Sequence, residues 1–183
     1  DRHRNGLSYQ DLNDGNCFID PSDWDVLICD NDNVAPYGES LGIAGKARYM
    51  APEVVRNMTR PNVMTDRFSL AVVFFRLLFL DHPLVGKRVV SAPCLTEELE
   101  LKFYGQEPIF IYDPTDDCNR PVRGVHSNAI RFWTMYPEFI RRKFVESVTK
   151  EPMAGKTPRM TDNDWPRAST RLRGTVITCP CGG

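Results

Sequence analysis

The segment of residues 66–80 limits the fold more than any other part of this chain. It is apolar on nearly every face of a helix, and its apolar residues include Leu70, Val73, Phe74, Leu77 and Leu78. A helix that is apolar almost all round must be buried among other elements. Thr65 or Asp66 can cap its first turn, and His82-Pro83 ends it. The sequence therefore predicts a mainly α-helical domain around a central helix.

Weaker patterns predict shorter elements around this helix. Helices are predicted over residues 53–57, 96–104, 137–148 and 161–173, the last with a capping box, Thr161-x-x-Asp164. Residues 31–48 show no periodicity and predict an exposed, mobile loop. Residues 176–178 could form a final strand.

Two apolar runs near the N-terminus predict a β-hairpin. They cover residues 17–19 and 26–29 and are separated by turn residues. We expect the second strand to be buried, and Cys17 and Cys29 to be small buried hydrophobes in a reducing compartment.

Three polar residues stand where these elements turn. Asp11 and Asn16 flank a tight turn, and the hairpin would bring Asp30 back beside Asn16. A carboxylate and an amide oxygen at strand ends suit Mg²⁺, and Asp11 is left as a base or positioning group. The alternative is that all three are ordinary turn residues, because Asn and Asp favour turns.

Composition excludes several classes of protein. The 183 residues carry 23 Lys and Arg against 24 Asp and Glu, so there is no global positive charge for nucleic acid or an anionic membrane. The longest apolar run, residues 68–80, is too short to span a bilayer, and no apolar signal leads the chain. We expect one cytoplasmic domain, or one and a small appendage.

Five short motifs follow one another between residues 6 and 173. They are Tyr9 to Asn16 with its Asp-Leu-x-x-x-Asn, Leu27 to Asp30, Gly45 to Glu53 ending in Ala-Pro-Glu, Asp66 to Val72, and Arg159 to Thr161. In this order and spacing they resemble the C-terminal lobe of a protein kinase. The resemblance is closest to bacterial eukaryotic-like Ser/Thr kinases with a C-terminal zinc ribbon. It implies a helical lobe with a small β-hairpin at the catalytic loop.

The resemblance also implies a role for each matching residue. Asp11 would orient the substrate hydroxyl and accept its proton, while Asn16 and Asp30 would hold Mg²⁺ on the phosphates of ATP, the co-substrate. Glu53 would pair with Arg159 and pin the activation segment. Asp66 would accept backbone N–H groups of the catalytic loop.

Several positions depart from the kinase pattern. Tyr9 and Gln10 replace His and Arg, and the loss of that Arg puts switching by loop phosphorylation in doubt. Asn13 replaces a Lys that faces the transferred phosphate. Asn31-Asp32 replaces Phe-Gly. Lys46 stands where a Thr often bonds to the catalytic Asp, and it could supply a nearby positive charge.

Parts of a kinase are also missing from the sequence. It holds no Gly-x-Gly-x-x-Gly and no Val-Ala-Ile-Lys strand, so the N-terminal lobe is expected to be absent and the chain alone inactive. Residues 1–175 would be a partial kinase domain, and residues 176–183 the start of a truncated zinc ribbon. Cys179 and Cys181 could bind Zn²⁺ if the ribbon continues, or could be a degenerate remnant.

Three functions therefore compete. The first is a fragment of a Ser/Thr protein kinase that acts on a protein substrate together with its missing N-terminal lobe. The second is a pseudokinase or scaffold that binds a partner or nucleotide without efficient transfer. The third, an unrelated Mg²⁺-dependent phosphohydrolase, does not explain Ala-Pro-Glu, Asp66 and Arg159. The kinase is favoured because Asp11, Asn16 and Asp30 are all present.

Overall fold

The structure is a computed structural model that describes residues 6–23, 25–36, 39, 45–153 and 158–177. In chain order the strands are β1 (Leu7–Tyr9), β2 (Cys17–Ile19), β3 (Val26–Ile28) and β4 (Val34–Pro36). The helices are α1 (Pro52–Val55), α2 (Val63–Phe79), α3 (Lys87–Val90), α4 (Glu97–Glu100), α5 (Ser127–Met135), α6 (Glu138–Val148), α7 (Lys150–Met153) and α8 (Asp164–Arg173). The predicted mainly α-helical class is confirmed.

Helix α2 lies at the centre of the core. Phe68, Phe75 and Phe79 are fully buried in it. The Phe75 ring lies 5.3 Å from that of Phe144 on α6, and the Phe79 ring lies 5.3 Å from that of Trp133 on α5. Edge-to-face and tilted rings at these distances add to the stabilisation that apolar burial gives. The most constraining segment of the sequence is therefore the element around which the other helices pack.

The predicted cap of α2 is wrong. Asn62 caps this helix, because its Oδ1 accepts hydrogen bonds from the backbone N–H groups of Met64 and Thr65 at 2.8 and 3.3 Å. Thr65 Oγ1 in turn accepts from the Asn62 N–H at 2.8 Å, which completes a capping box. The helix thus begins three residues before the predicted start, and Asp66 lies inside its first turn, where its side chain is available for another partner.

Other helix boundaries also differ from the sequence predictions. Helix α4 ends at Glu100 and continues as a π-helical turn, Leu101–Gln106. Helix α5 was not predicted. Helix α8 begins at Asp164, whose carboxylate accepts from Thr161 N and Oγ1 at 2.7 and 2.6 Å, so half of the expected capping box is present. Residues 176 and 177 are exposed and are not in a strand, and residue 178 lies outside the described part.

The four strands form two separate antiparallel pairs. The predicted hairpin is present as β2 and β3, with Cys17 opposite Ile28. The second pair, β1 with β4, was not predicted, since residues 34–36 fell in the expected loop. Ser8 and Ala35 are buried in this second pair. Residues 34–36 are not a continuous apolar run as β2 and β3 are, and their partner strand lies 27 residues earlier in the sequence, so local pattern did not reveal this pair.

The predicted burial of the hairpin is wrong. Phe18 is 53% exposed and Leu27 57% exposed, while the Cys29 side chain is exposed and that of Cys17 only partly covered. Cys17, Cys29, Cys94 and Cys118 are free thiols. The apolar side chains of the hairpin are therefore only partly covered by the described residues. No helix within the described ranges has the length and apolarity that a membrane crossing requires.

Candidate active site

The turn between β1 and β2 holds Asp11 and Asn16 together. The Asn16 side-chain amide donates to the Asp11 backbone carbonyl at 3.0 Å and to Asp11 Oδ2 at 3.2 Å. Asn13 also stabilises the turn. Its Nδ2 donates to the Asp11 backbone carbonyl at 3.0 Å, and its Oδ1 accepts from the Gly15 N–H at 2.9 Å. Side-chain to backbone bonds of this kind are the reason Asn-rich segments form tight turns. These bonds fix the Asp11 backbone, and the Asn16 amide also contacts the Asp11 carboxylate.

The hairpin brings Asp30 beside this turn. The Cys29 N–H donates to the Asn16 carbonyl at 2.9 Å, so Asp30 follows directly after the residue that pairs with Asn16. Asp30 has a left-handed backbone, with φ of 60°, which Asp tolerates better than most residues. Its Oδ2 accepts from Asn33 Nδ2 at 2.7 Å. The structure thus brings the three predicted polar residues to one edge of the fold.

Two side chains at this edge carry oxygen donors of the kind that hard divalent cations bind. Asn16 uses its NH₂ group on Asp11, which leaves its Oδ1 as the acceptor, and Asp30 contributes a carboxylate. Oxygen donors of this type suit Mg²⁺. The described residues contain no group of three or more His, Cys, Asp or Glu that could hold a metal. A Mg²⁺ ion here would need further oxygens from water or a phosphate ligand, which is how Mg²⁺ is commonly bound.

Tyr9 connects this edge to the helical core. Its hydroxyl donates to the Cys29 carbonyl, and its backbone N–H donates to Asp66 Oδ2 at 2.8 Å. Burial raises the pKa of Tyr9, and the negative charges of Asp30 and Asp11 raise it further. Asp66 is itself buried, so the start of α2 directly supports the strand that leads to Asp11.

Glu53 and Arg159 form a second predicted contact. Arg159 Nη1 and Nη2 bond to the two carboxylate oxygens of Glu53 at 2.7 and 2.8 Å, and Nη1 also donates to the Met64 carbonyl at 2.8 Å. The Arg159 side chain is only 3% exposed. The Glu53 side chain is 23% exposed, so the pair is partly buried, and its two parallel hydrogen bonds tie α1 to the segment before α8.

The sequence analysis missed a charged cluster beneath the turn. Asp14 Oδ2 lies 2.7 Å from Arg76 Nη2 on α2, and the Tyr49 hydroxyl donates to Asp14 Oδ1 at 2.5 Å. Burial alone would raise the pKa of Asp14, but the hydrogen bond from Tyr49 and the charge of Arg76 hold it below its usual value. Burial and the bond to Asp14 raise the pKa of Tyr49 to about 12. The signal available in the sequence was Arg76 within the largely apolar run of residues 68–80.

The segment before α1 passes directly against the turn. A Cβ atom on Gly45 would lie 3.2 Å from the Gln10 carbonyl and 3.4 Å from Asp11 Oδ1, which is close for any side chain. Lys46 Nζ lies 3.4 Å from Asn13 Oδ1. Gln10 is 8% exposed, and its Nε2 donates to the Glu39 carbonyl at 2.6 Å.

Cys179 and Cys181 lie outside the described residues.

Comparison with known proteins gives one partial similarity. No protein-family model matches this chain. An alignment 95 residues long, which covers 49% of the chain, shows 27% identity to a probable serine/threonine-protein kinase PknB from Bifidobacterium longum (strain NCC 2705). The matched stretch covers 14% of that relative's length. The match supports a kinase-like relationship, and it shows no zinc ribbon.

Proposed function

We propose that this chain is the C-terminal lobe of a Ser/Thr protein kinase, which transfers the γ-phosphate of ATP to a protein hydroxyl. The observation that carries the proposal is the contact between Asn16 and Asp11, with Asp30 placed beside Asn16 by the hairpin. A base and two cation ligands on one edge are the parts that phosphoryl transfer needs from this lobe. The kinase-like similarity agrees with this assignment.

The chemistry assigned to this edge is an in-line displacement at phosphorus. The substrate hydroxyl oxygen forms a bond to the γ-phosphorus, while the bond from that phosphorus to the β–γ bridging oxygen breaks and ADP leaves with the electron pair. The hydroxyl proton passes to the Asp11 carboxylate and then to solvent. Asn16 orients Asp11 through its bond to Oδ2. A Mg²⁺ ion held by Asn16 and Asp30 would neutralise charge on the phosphates.

The exposed hairpin supports the proposal that a second lobe completes the enzyme. Phe18 and Leu27 are more than half exposed on strands that flank the cation ligands. Apolar surface next to a polar site is typical of a contact that another protein part or a ligand covers. In this proposal the N-terminal lobe and the nucleotide cover it, and the chain alone is inactive.

A pseudokinase or scaffold is the second candidate. Asn13, in the middle of the turn, is uncharged, and Gln10 is engaged by the Glu39 carbonyl. These features favour binding without efficient transfer, because no cation is supplied from positions 10 or 13. A phosphate group on the segment after β4 would also have no Arg at position 10 to bind it, because this residue is Gln10.

The test is phosphate transfer from ATP by the full-length protein, wild type against Asp11→Asn. A general base contributes about 10²–10⁴-fold, so we expect a loss of that size in kcat. The exposed carboxylate variant Asp117→Asn is the matched control and should keep full activity. Equal transfer by wild type and Asp11→Asn would refute the catalytic role. A wild type that binds Mg²⁺-ATP but transfers no phosphate would support the scaffold.

A further inference from the structure

Lys46 is a cation that the fold brings to the turn holding Asp11. Its Nζ lies 3.4 Å from Asn13 Oδ1, and the residue before it, Gly45, passes within close contact of Asp11. Asn13 is 1% exposed and is fixed by its bonds to Gly15 and the Asp11 carbonyl. The ammonium group therefore meets a rigid acceptor immediately beside the proposed base. Lys46 and this acceptor residue, Asn13, are 33 residues apart in sequence.

A second cation, Arg76, contacts the same turn, but it is paired with a carboxylate. Arg76 lies 2.7 Å from the Asp14 carboxylate, so its charge is largely balanced by its partner. The Asn13 amide that meets Lys46 has no charge, and the Lys46 side chain is exposed to solvent. Asn13 thus does not balance the charge of Lys46. This charge is available to attract a negatively charged ligand at the edge beside Asp11.

We propose that Lys46 is a further catalytic residue, whose ammonium group binds the transferred phosphoryl group and stabilises its negative charge in the transition state. Asn13 is the positioning residue that holds it there. This inference rests on the proposed kinase function, because it requires a phosphoryl group that is being transferred to a substrate beside Asp11. Lys46 makes and breaks no bond; it donates hydrogen bonds to the γ-phosphate oxygens while the displacement proceeds. It would supply the positive charge that Asn13 itself lacks.

The test compares Lys46→Met and Lys46→Arg in the full-length protein. A preorganised electrostatic contact contributes about 10²–10³-fold, so Lys46→Met should lower kcat by about 10²-fold while KM for ATP changes by less than about 3-fold. Lys46→Arg should recover part of the loss. The exposed control Lys102→Met, on the π-helical turn, should leave kcat unchanged. Because Lys46 is exposed, the thermal unfolding midpoint of Lys46→Met should match that of wild type.

A second readout separates contact with phosphate from contact with the protein substrate. Hydrolysis of ATP without a protein substrate transfers the same phosphoryl group to water. If Lys46 binds that group, Lys46→Met lowers transfer to protein and to water by similar factors. A loss confined to protein transfer, or a kcat within about 2-fold of wild type, overturns the assignment.

The outcomes also separate this inference from the proposed function. If Asp11→Asn abolishes transfer while Lys46→Met does not, the kinase function stands and the role of Lys46 is refuted. If neither variant changes the measured transfer, the catalytic role of Asp11 is refuted and the role of Lys46 with it. Loss in both variants, with partial recovery in Lys46→Arg, supports both.

Discussion

At the scale of single residues, His82 shows how the fold fixes one protonation state. Its Nδ1 accepts a hydrogen bond from the Leu84 N–H at 3.1 Å, so its Nε2–H is the group that meets the Arg48 carbonyl at 3.0 Å. Burial, followed by the positive charges of Arg76 and Arg48, lowers the pKa of His82 to about 3. Asp14 acts in the opposite direction but more weakly. The neutral ring is therefore part of the native structure.

We expect His82 to make the protein less stable as the pH falls below about 6.5. Between pH 6.5 and 3 the unfolded chain binds a proton at His82 that the folded chain does not, so the free energy of unfolding falls with decreasing pH. The slope from this group approaches about 1.4 kcal/mol per pH unit. Urea unfolding at pH 7.5, 6.0 and 5.0 should show this slope for wild type.

The matched variant for this prediction is His82→Gln, which cannot titrate. The difference in unfolding free energy between wild type and variant should be constant above pH 7 and should shrink as the pH falls. A difference that stays constant down to pH 5 would contradict a neutral buried His82.

At the scale of elements, helix α2 begins and ends by different means. Its start has a complete capping box from Asn62 and Thr65, whereas its end relies on a residue with an unfavourable conformation. Leu80 has φ of 55° and is 60% exposed, and its N–H donates to the Arg76 carbonyl at 2.9 Å. Glycine is usual at such a left-handed position, because a Cβ atom strains it. The central helix therefore carries strain at its C-terminal end.

We expect Leu80→Gly to stabilise the protein by about 0.5–1 kcal/mol, because relief of left-handed strain exceeds the extra flexibility of glycine in the unfolded chain. Leu77→Gly is the matched control: it is equally exposed, at 56%, but lies inside α2. That change should destabilise by about 1 kcal/mol. Thermal and urea unfolding of both variants measure the two effects. Destabilisation by both changes would show that Leu80 is not strained.

At the scale of the whole molecule, long-range contacts join the proposed site to the helical core. The Tyr9 N–H meets Asp66 across 57 residues of sequence, and Arg159 meets Glu53 across 106. Asp14 and Arg76 make a third connection, from the turn to α2. These contacts hold β1 and the turn after it to α2, and the segment before α8 to α1. The position of Asp11 therefore depends on contacts between its turn and the helical part of the chain.

We expect Asp66→Asn to weaken this connection. Asparagine keeps one acceptor oxygen, but it loses the negative charge and places an NH₂ donor where the second carboxylate oxygen was buried, so the free energy of unfolding should fall by about 1–3 kcal/mol. Hydrogen exchange of the Tyr9 amide should accelerate more than that of the Ile140 amide on α6. The control is Asp162→Asn, which removes a half-exposed ion pair to Arg67 on the same helix and should cost less than about 1 kcal/mol. Equal effects of the two changes would contradict the anchoring role of Asp66.

The sequence alone determined those features that depend on local pattern. An almost wholly apolar segment predicted the central helix. Dense turn residues predicted the hairpin, with Asn16 and Asp30 at its ends and Asp11 across a tight turn from Asn16. Helical periodicity and turn chemistry act over a few residues, so they can be recognised without knowledge of the fold. The order of short motifs then suggested which chemistry those residues could perform.

The tertiary structure decided what depends on distant partners. It alone showed that β4 pairs with β1, that the apolar hairpin is exposed and that Asn62 caps α2. It also showed that Arg76 meets Asp14 and that Lys46 meets Asn13. Apolar composition cannot tell a covered strand from an uncovered one, because burial depends on what packs against the strand and not on the strand itself. Likewise, the ion pair of Arg76 with Asp14 and the contact of Lys46 with Asn13 join residues far apart in sequence, so local periodicity and turn patterns did not predict them.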